Sequence, residues 1–466
     1  MNLRGRRVVV VGLGASGAAA VRLLTDEGAQ VVVSERRRLE ELGDLDAVGG
    51  VDVRAGGHEP SHLEGAELVV VSPGVPESAP VIGWARELGL PIWSELELGW
   101  RACAAPVVAI TGTNGKTTTT EMVAAAMRTA GLDAVACGNI GLPFSKAARV
   151  GHAALVVESS SFQLWFTETF RPRVSVLLNV APDHIDWHGS FDAYAEAKAR
   201  IFERQGDGDA HVGYADDERA AAISRTAPCA KVWFTLDEPA EGAVGYAGDE
   251  LLSRLHGDAS LGRPMGASRG FRADAAAAAA ASIAFGLDPV AVGEGIRSIE
   301  PLPHRGRVVA YVEGVQFVDD SKATNPHAAL AALEGMRDAV LIAGGLSKGV
   351  DLSPLAAAAP SLAAVVVLGE AAAEIAALFE HVVPVRKADS IEEATASAFE
   401  LAPPDGTVVL APACASQDMF RDYKERGDRF TAAARSLERG ARGGSSPEPP
   451  ASVRTERADP SIEKGG

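Results

Sequence analysis

Three times along the chain a short apolar run gives way to a glycine-rich turn and then to an alanine-rich, helix-favouring stretch. Val8–Val11 leads through GLGASG to Ala18–Leu24, Val107–Ile110 through TGTNGKT to Thr118–Ala130, and Ala339–Ala343 through GGLSKG to Leu352–Ala359. Unbroken apolar runs of this length suit strands covered on both faces, as in a parallel sheet flanked by helices. Val365–Leu368 and Val408–Leu410 add strands to the third unit. The pattern predicts an α/β protein of three domains: a Rossmann-like unit over 1–96, a central unit with a mostly parallel sheet over 97–301, and a second Rossmann-like unit over 302–440. Pro301 and Pro303 interrupt the pattern at the second boundary. The run Ala275–Ala281 reads as a tightly packed helix, alanine being the best helix former. From Gly440 onward glycine, serine, proline and charge replace apolar periodicity, so 441–466 is expected to be a disordered tail.

Composition narrows the function classes. Hydrophobic residues make up 47% of the 466 positions, enough for several cores. The 44 basic against 62 acidic residues leave a net charge of −18, which argues against nucleic acid or an anionic membrane as the main partner. Small anions remain open, since a local loop binds phosphate whatever the overall charge. Cys103, Cys137, Cys229 and Cys414 are scattered without a CxxC pair, which fits a reducing cytoplasm and gives no zinc or disulfide pattern. The opening MNLRGRRVVVVGLG superficially resembles a signal peptide, but Gly12 and Gly14 break the apolar run and it reads as a first strand. No apolar run reaches the ~18 residues of a membrane span.

The second glycine turn carries the clearest chemistry. In Thr111-Gly112-Thr113-Asn114-Gly115-Lys116-Thr117 the glycines let backbone N–H groups cradle phosphate, and the helix that follows aims its N-terminus at the same anion. Lys116 is expected to reach the β- and γ-phosphates and the Thr117 hydroxyl to hold Mg²⁺, which makes the central unit a P-loop-type ATPase domain. The usual pattern has glycine where this chain has Ile110. Downstream, LVVESSSFQL ends a buried strand at Glu158, a natural Mg²⁺ ligand beside a phosphate loop or else a solvated strand end. Asp183, His184, Asp186 and His188 cluster within six positions, a spacing with no strong zinc signature. Lys198 lies on the helix around YAEAKAR and, on pattern alone, is an exposed helix lysine.

GLGASG is a full G-x-G-x-x-G match at Gly12, Gly14 and Gly17, and Glu35 closes the next strand 18 residues on. Alone it points to a dinucleotide enzyme. What the motif reports, however, is a diphosphate at a helix N-terminus, and nucleotide sugars carry one too.

TGTNGKTT resembles the ATP loop of the Mur ligase family, which includes folylpolyglutamate synthase. The resemblance continues through CGNIGLP, ESSSFQL, NVAPDHIDWHGSFDAYAEAK, LPHR, VDDSKATNP, GGLSKGVD and APACASQDMFRDYKERG, and covers about residues 1–440. It implies an ATP-dependent ligase that activates a carboxylate as an acyl phosphate and joins it to an amino acid. Within the family the chain is most similar to the member that adds D-glutamate to UDP-N-acetylmuramoyl-L-alanine in cytoplasmic peptidoglycan precursor synthesis. ATP contacts are then expected from Gly112, Thr113, Asn114, Gly115, Lys116, Thr117, Thr118, Arg305 and Asp320. The resemblance implies two Mg²⁺ ions, held by Thr117, Glu158, His184 and a carbamylated Lys198. Lys116, Glu158, His184, Lys198 and Lys322 form the expected catalytic set. The UDP-substrate is expected at Gly14, Ala15, Ser16, Glu35, Arg36, Arg37, Ser72 and Gly74, and at Asn139, Ser160, Gln163 and His184. Thr324, Lys348, Ser416 and Tyr423 would hold the incoming amino acid. The family usually meets adenine with an asparagine in HN-x-x-N-A; here Asp274 stands in that place and the preceding His-Asn is absent. A carboxylate accepts a hydrogen bond from the adenine amino group but donates none to a ring nitrogen. The chain is expected to act as a monomer, without nucleic acid or membrane insertion. Another Mur ligase or a folylpolyglutamate synthase-like ligase with a different amino acid or acceptor, a non-catalytic nucleotide binder and a redox enzyme are the alternatives.

Overall fold

In a computed structural model, residues 2–42, 48–266 and 268–443 are described. Among them the strands form three sheets, one per sequence unit. The first contains β1 (Arg7–Val11), β2 (Gln30–Glu35), β3 (Asp52–Ala55), β4 (Leu68–Val71) and β5 (Ile92–Ser94), all parallel in the order β3-β2-β1-β4-β5. Val8 to Val11 have no solvent exposure, because helices cover both faces. The strand order reverses beside β1, so its carboxyl end faces the crevice where such sheets take ligands.

The second sheet holds β6 (Val107–Thr111), β7 (Ala134–Gly138), β8 (Ala154–Glu158), β9 (Val174–Leu177), β10 (Ala210–Tyr214), β11 (Ala230–Phe234), β12 (Ala243–Ala247), β13 (Glu250–Ser253) and β14 (Ala259–Gly262). Its order is β14-β13-β12-β11-β10-β9-β6-β8-β7, with antiparallel pairing confined to β12–β13 and β13–β14. Strand β6 lies between β8 and β9 in a register that sets Ile110 opposite Glu158 and Thr111 opposite Leu177. The phosphate loop therefore leaves the sheet beside Glu158 on one side and the segment leading to Asn179 on the other.

Two helices lock the loop's own helix, Lys116–Thr129, onto this sheet. Helix Arg269–Phe285 starts at Ser268, whose hydroxyl accepts from the Phe271 N–H, and ends at left-handed Gly286. Its alanines 275 to 281 are fully buried. Helix Pro289–Arg297 approaches so closely that a Cβ on Gly295 would lie 2.4 Å from the Ala126 Cα.

The third sheet comprises β15 (Arg307–Val312), β16 (Val315–Asp319), β17 (Ala339–Gly344), β18 (Leu362–Leu368), β19 (Val385–Lys387) and β20 (Thr407–Leu410), ordered β15-β16-β20-β17-β18-β19. Only β15 is antiparallel to its neighbour. The neighbours β16, β20 and β17 release their loops side by side at one edge.

Two expectations shift. The stretch after GGLSKG is a 3₁₀ helix over Ser353–Ser361, with Pro354 in its first turn and Pro360 inside, where a missing N–H stops an α-helical ladder. The last helix, Tyr423–Gly443, runs three residues past the expected start of the tail, and the rest of that tail, 444–466, lies outside the described residues. Among the described residues no helix is long and apolar enough to cross a membrane.

Candidate functional site

The central and third units enclose a cavity of about 1100 Å³. The phosphate loop from Thr113 to Thr118, Asn139, Glu158 and His184 wall one side. Arg305, Asp320, Lys322, Thr324 and Lys348 wall the other, and Asp274 also reaches it.

Loop geometry sharpens the phosphate reading. The Asn179 side chain accepts from the N–H groups of Thr113 (3.1 Å) and Asn114 (2.8 Å), and donates to the Asn114 carbonyl. Those two amides are spent on holding the loop, so an anion is left the amides of Gly115 and the first helical turn. Gly115 itself has φ +87°, and a Cβ there would fall 2.0 Å from Asp274 Oδ1. Asp274 thus packs its carboxyl on the loop. Burial pushes that carboxyl up to about 7, against the opposing pull of Arg305, the Thr119 and Thr118 hydroxyls and Lys116.

Two lysines converge on one carbonyl. Lys116 Nζ donates to Gly112 O (2.8 Å) and Thr113 O (2.9 Å), and Lys198 Nζ donates to the same Gly112 O at 2.8 Å. Lys198 is only 1% exposed, contrary to the helix pattern alone, because its helix Phe191–Ala199 turns that face inward with Tyr194. The ring of Tyr194 lies under its ammonium at 4.3 Å. Burial, together with the Lys116 charge, holds the Lys198 amine well below the usual lysine range.

Glu158 is buried at its strand end and accepts from Thr117 Oγ1 (2.8 Å) and Asn139 Nδ2 (2.9 Å). Hard oxygen ligands are thus side by side where a phosphate-bound Mg²⁺ would need them. His184 sits nearby at φ +53°, wedged edge-on against Phe162. Burial lowers its imidazole to about 4, so it is neutral and able to ligate at physiological pH. Among the described residues no three His, Cys, Asp or Glu side chains gather into a cage. Mg²⁺ fits such a site, since it is usually held by one or two carboxylates plus substrate phosphates.

The third unit closes over this surface. Asn325 caps helix Pro326–Leu333 by accepting from the Ala328 N–H (2.9 Å), while its amide donates to Asn114 Oδ1 (3.2 Å) and Asp183 Oδ2 (3.3 Å). Lys322 points over the Tyr423 ring at 4.1 Å. Burial and the Arg305 charge lower its ammonium to about 8. Asp320 beside it is raised to about 7, again by burial, with Arg305 opposing.

The remaining candidates lie elsewhere. Gly14, Ala15 and Ser16 open the first helix, and Ser72 Oγ donates to Gly12 O at 2.8 Å. A Cβ on Gly17 would meet Gly12 O at 2.1 Å, so the motif's third glycine is a packing requirement. Glu35 accepts from the Leu13 N–H (2.6 Å) and from Arg37. Burial would raise its carboxyl, but those bonds hold it at about 2. With Arg36 and Gly74 this set follows the carboxyl ends of β1, β2 and β4, outside the large cavity. Ser160 and Gln163 form a capping box on helix Ser161–Trp165, and the Gln163 side chain is fully buried. Ser416 is buried and Tyr423 half-buried, neither in the cavity wall. Asn179 and Asn325 escaped the sequence reading; their only signal is an asparagine directly after an apolar run or directly before a proline.

Models of three Mur ligase domains match in order: the MurD-like N-terminal domain over residues 6–94, the middle domain over 110–256 and the glutamate ligase domain over 304–414. The chain belongs to the Mur ligase family. Among its relatives, a UDP-N-acetylmuramoylalanine–D-glutamate ligase of Frankia casuarinae is 44% identical, covering 93% of this chain and 95% of that one. A ligase of the same name from Pelotomaculum thermopropionicum is 40% identical over 93% and 98%. Solved Mur ligase structures share the fold. A pseudomurein peptide ligase type C from Methanothermus fervidus has a TM-score of 0.59 at 19% identity, covering 93% of this chain and 100% of its own. The MurF ligase of Thermotoga maritima, in complex with ADP, has 0.57 at 18%, covering 94% and 96%.

Proposed function

We propose that this Mur ligase adds D-glutamate to UDP-N-acetylmuramoyl-L-alanine at the expense of ATP, as a cytoplasmic monomer making a peptidoglycan precursor. The observation that carries the reading is the single cavity that brings the Gly115–Thr118 amides, Thr117 and Glu158 from one unit against Lys322, Thr324 and Lys348 from another. Relatives bearing that activity in their names at 40% identity or more over nearly the whole chain support the choice of substrates. The three-domain division at 96/97 and 301/302 belongs to the same proposal, and the matched family segments fall inside it.

In this reading the first unit's glycine turn holds the UDP diphosphate, and the substrate carboxylate enters beside Asn139 and His184. A carboxylate oxygen attacks the γ-phosphorus of ATP and ADP leaves. Lys116, released from the loop carbonyls it now holds, and Lys322 neutralise charge on the transferring group. The amine of D-glutamate then attacks the acyl carbon and phosphate leaves, with the surplus amine proton lost to solvent or base. Lys348 suits a carboxylate of that amino acid, with Thr324 and Ser416 as hydroxyl partners. Thr117 and Glu158 would hold one Mg²⁺, and His184 with Lys198 a second; bound there, the ions would neutralise phosphate charge. Lys198 takes that part once its neutral amine adds CO₂, forming an N–C bond and releasing a proton; its burial beside Lys116 supports this. Closure of the third unit keeps water from the acyl phosphate.

The test is phosphate release from ATP with UDP-N-acetylmuramoyl-L-alanine and a panel of amino acids. Release with D-glutamate alone is expected; no release with any amino acid refutes the assignment.

A further inference from the structure

Arg426 is the largest fully buried side chain among the described residues, with 1% exposure. Every oxygen it donates to is neutral. Nε reaches Ser321 Oγ (3.0 Å) and Nη2 reaches Ser321 O (2.8 Å) and Cys414 O (3.2 Å). Nη1 reaches Cys414 O (3.2 Å), with Gly344 O and Ala415 O at 3.4 Å. A buried guanidinium that ends on carbonyls rather than on a carboxylate keeps most of its desolvation cost. Stability alone would favour an apolar side chain in its place.

The partners explain why a charged fork is there. Ser321 precedes Lys322 and Thr324 on the loop after β16. Gly344 ends β17, four residues before Lys348. Cys414 and Ala415 immediately precede Ser416 after β20. These are the three segments that carry the proposed amino-acid contacts, and the Arg426 side chain binds all of them at once. A Leu346–Ala415 bridge joins the second segment to the third, and Ser321 Oγ donates to Tyr423 O (2.7 Å), tying the first to the start of the arginine's own helix. Burial lowers the guanidinium only to about 10, so the positive charge persists at neutral pH.

We propose that Arg426 is a positioning residue of the amino-acid site: its fork fixes the three loops in register, and its buried positive charge biases the pocket they form toward an acidic amino acid. The inference rests on the amino-acid site proposed above. The parent enzyme is therefore assayed first, and failure to use D-glutamate there strikes the function reading rather than this one.

The experiment compares Arg426→Lys, which keeps the charge and loses the fork, with Arg426→Met, which loses both. Thermal melts come first, then KM for each of the three substrates by phosphate release. Arg426→Met is expected to raise KM for D-glutamate by roughly a hundredfold, the scale of a small misplacement in a binding site, with KM for ATP and the UDP-substrate little changed. Arg426→Lys is expected to fall between, near tenfold by the same reasoning. If Arg426→Met does not fold, Arg426→Lys alone decides. Unchanged D-glutamate KM in a folded variant, or an equal rise for all three substrates, overturns the proposal.

Discussion

Asp274 offers the sharpest physical test, because the resemblance leads to an asparagine there and the structure gives the carboxyl an unusual setting. Its carboxyl packs on Gly115, and burial raises it from 3.8 to about 7. A carboxyl whose folded-state pKa is raised contributes its full stability below the unfolded value and loses it as pH climbs through the folded value, so the loss falls between 3.8 and about 7. The amide of the Asp274→Asn variant has the same shape and no proton to lose. At ~1.4 kcal/mol per pKa unit the variant should be more stable than the parent by about 4 kcal/mol at pH 8 and by about 1.5 kcal/mol at pH 5. Urea denaturation at the two pH values measures both differences. Asp274 also lines the cavity beside the phosphate loop, so KM for ATP should rise with pH more steeply in the parent than in the variant. A stability gain equal at both pH values, or none, would refute the buried-acid account. A large loss of activity in Asp274→Asn would show that Asp274 does not stand in for the family's asparagine.

Gly115→Ala forces a left-handed non-glycine residue and a clash with Asp274, and should cost roughly 1–2 kcal/mol from the backbone alone. Adding Asp274→Gly should return part of any further loss, visible as non-additivity in a double-mutant cycle. Asn325→Ser keeps a helix-capping oxygen but cannot reach Asn114 or Asp183. Its melting temperature should stay near the parent's, while ligand-induced compaction in small-angle scattering weakens; undiminished compaction would show that Asn325 does not hold the third unit closed. Lys198→Ala should abolish turnover and recover partly with short carboxylic acids. Absence of rescue in a folded variant counts against the carbamate.

How much of this was legible in the chain depended on whether a residue's task leaves a local pattern. The turns after β1 and β6 are visible because a buried valine run followed by glycines has few other uses. Strands β10 to β14 were not anticipated, since AHVGY, AKVWF, AVGYA, ELLS and ASLG are short and none is a continuous apolar run of four or more residues without glycine, and their pairing is fixed by the sheet edge already present. Lys198 could not be seen as buried because nothing in YAEAKAR marks which helical face meets the phosphate loop; only the family resemblance singled it out. Asn179, Asn325 and Arg426 act through long-range partners, 65, 211 and 105 positions away, and no window of sequence contains both ends. For Asp274, the resemblance led to the base; that its carboxyl also packs on Gly115 is visible only in the folded chain.

The alanine helix Arg269–Phe285 carries a consequence for how the enzyme can change over time. With methyl groups from 275 to 281 sealed on every side, and Gly295 pressed to the Ala126 backbone, the phosphate-loop helix rests on a bed with no slack. Any enlargement there would be transmitted as a tilt of that helix rather than absorbed. Substrate preference is consequently free to drift in the loops of the outer sheets, whereas the girth of the central packing is inherited almost without choice.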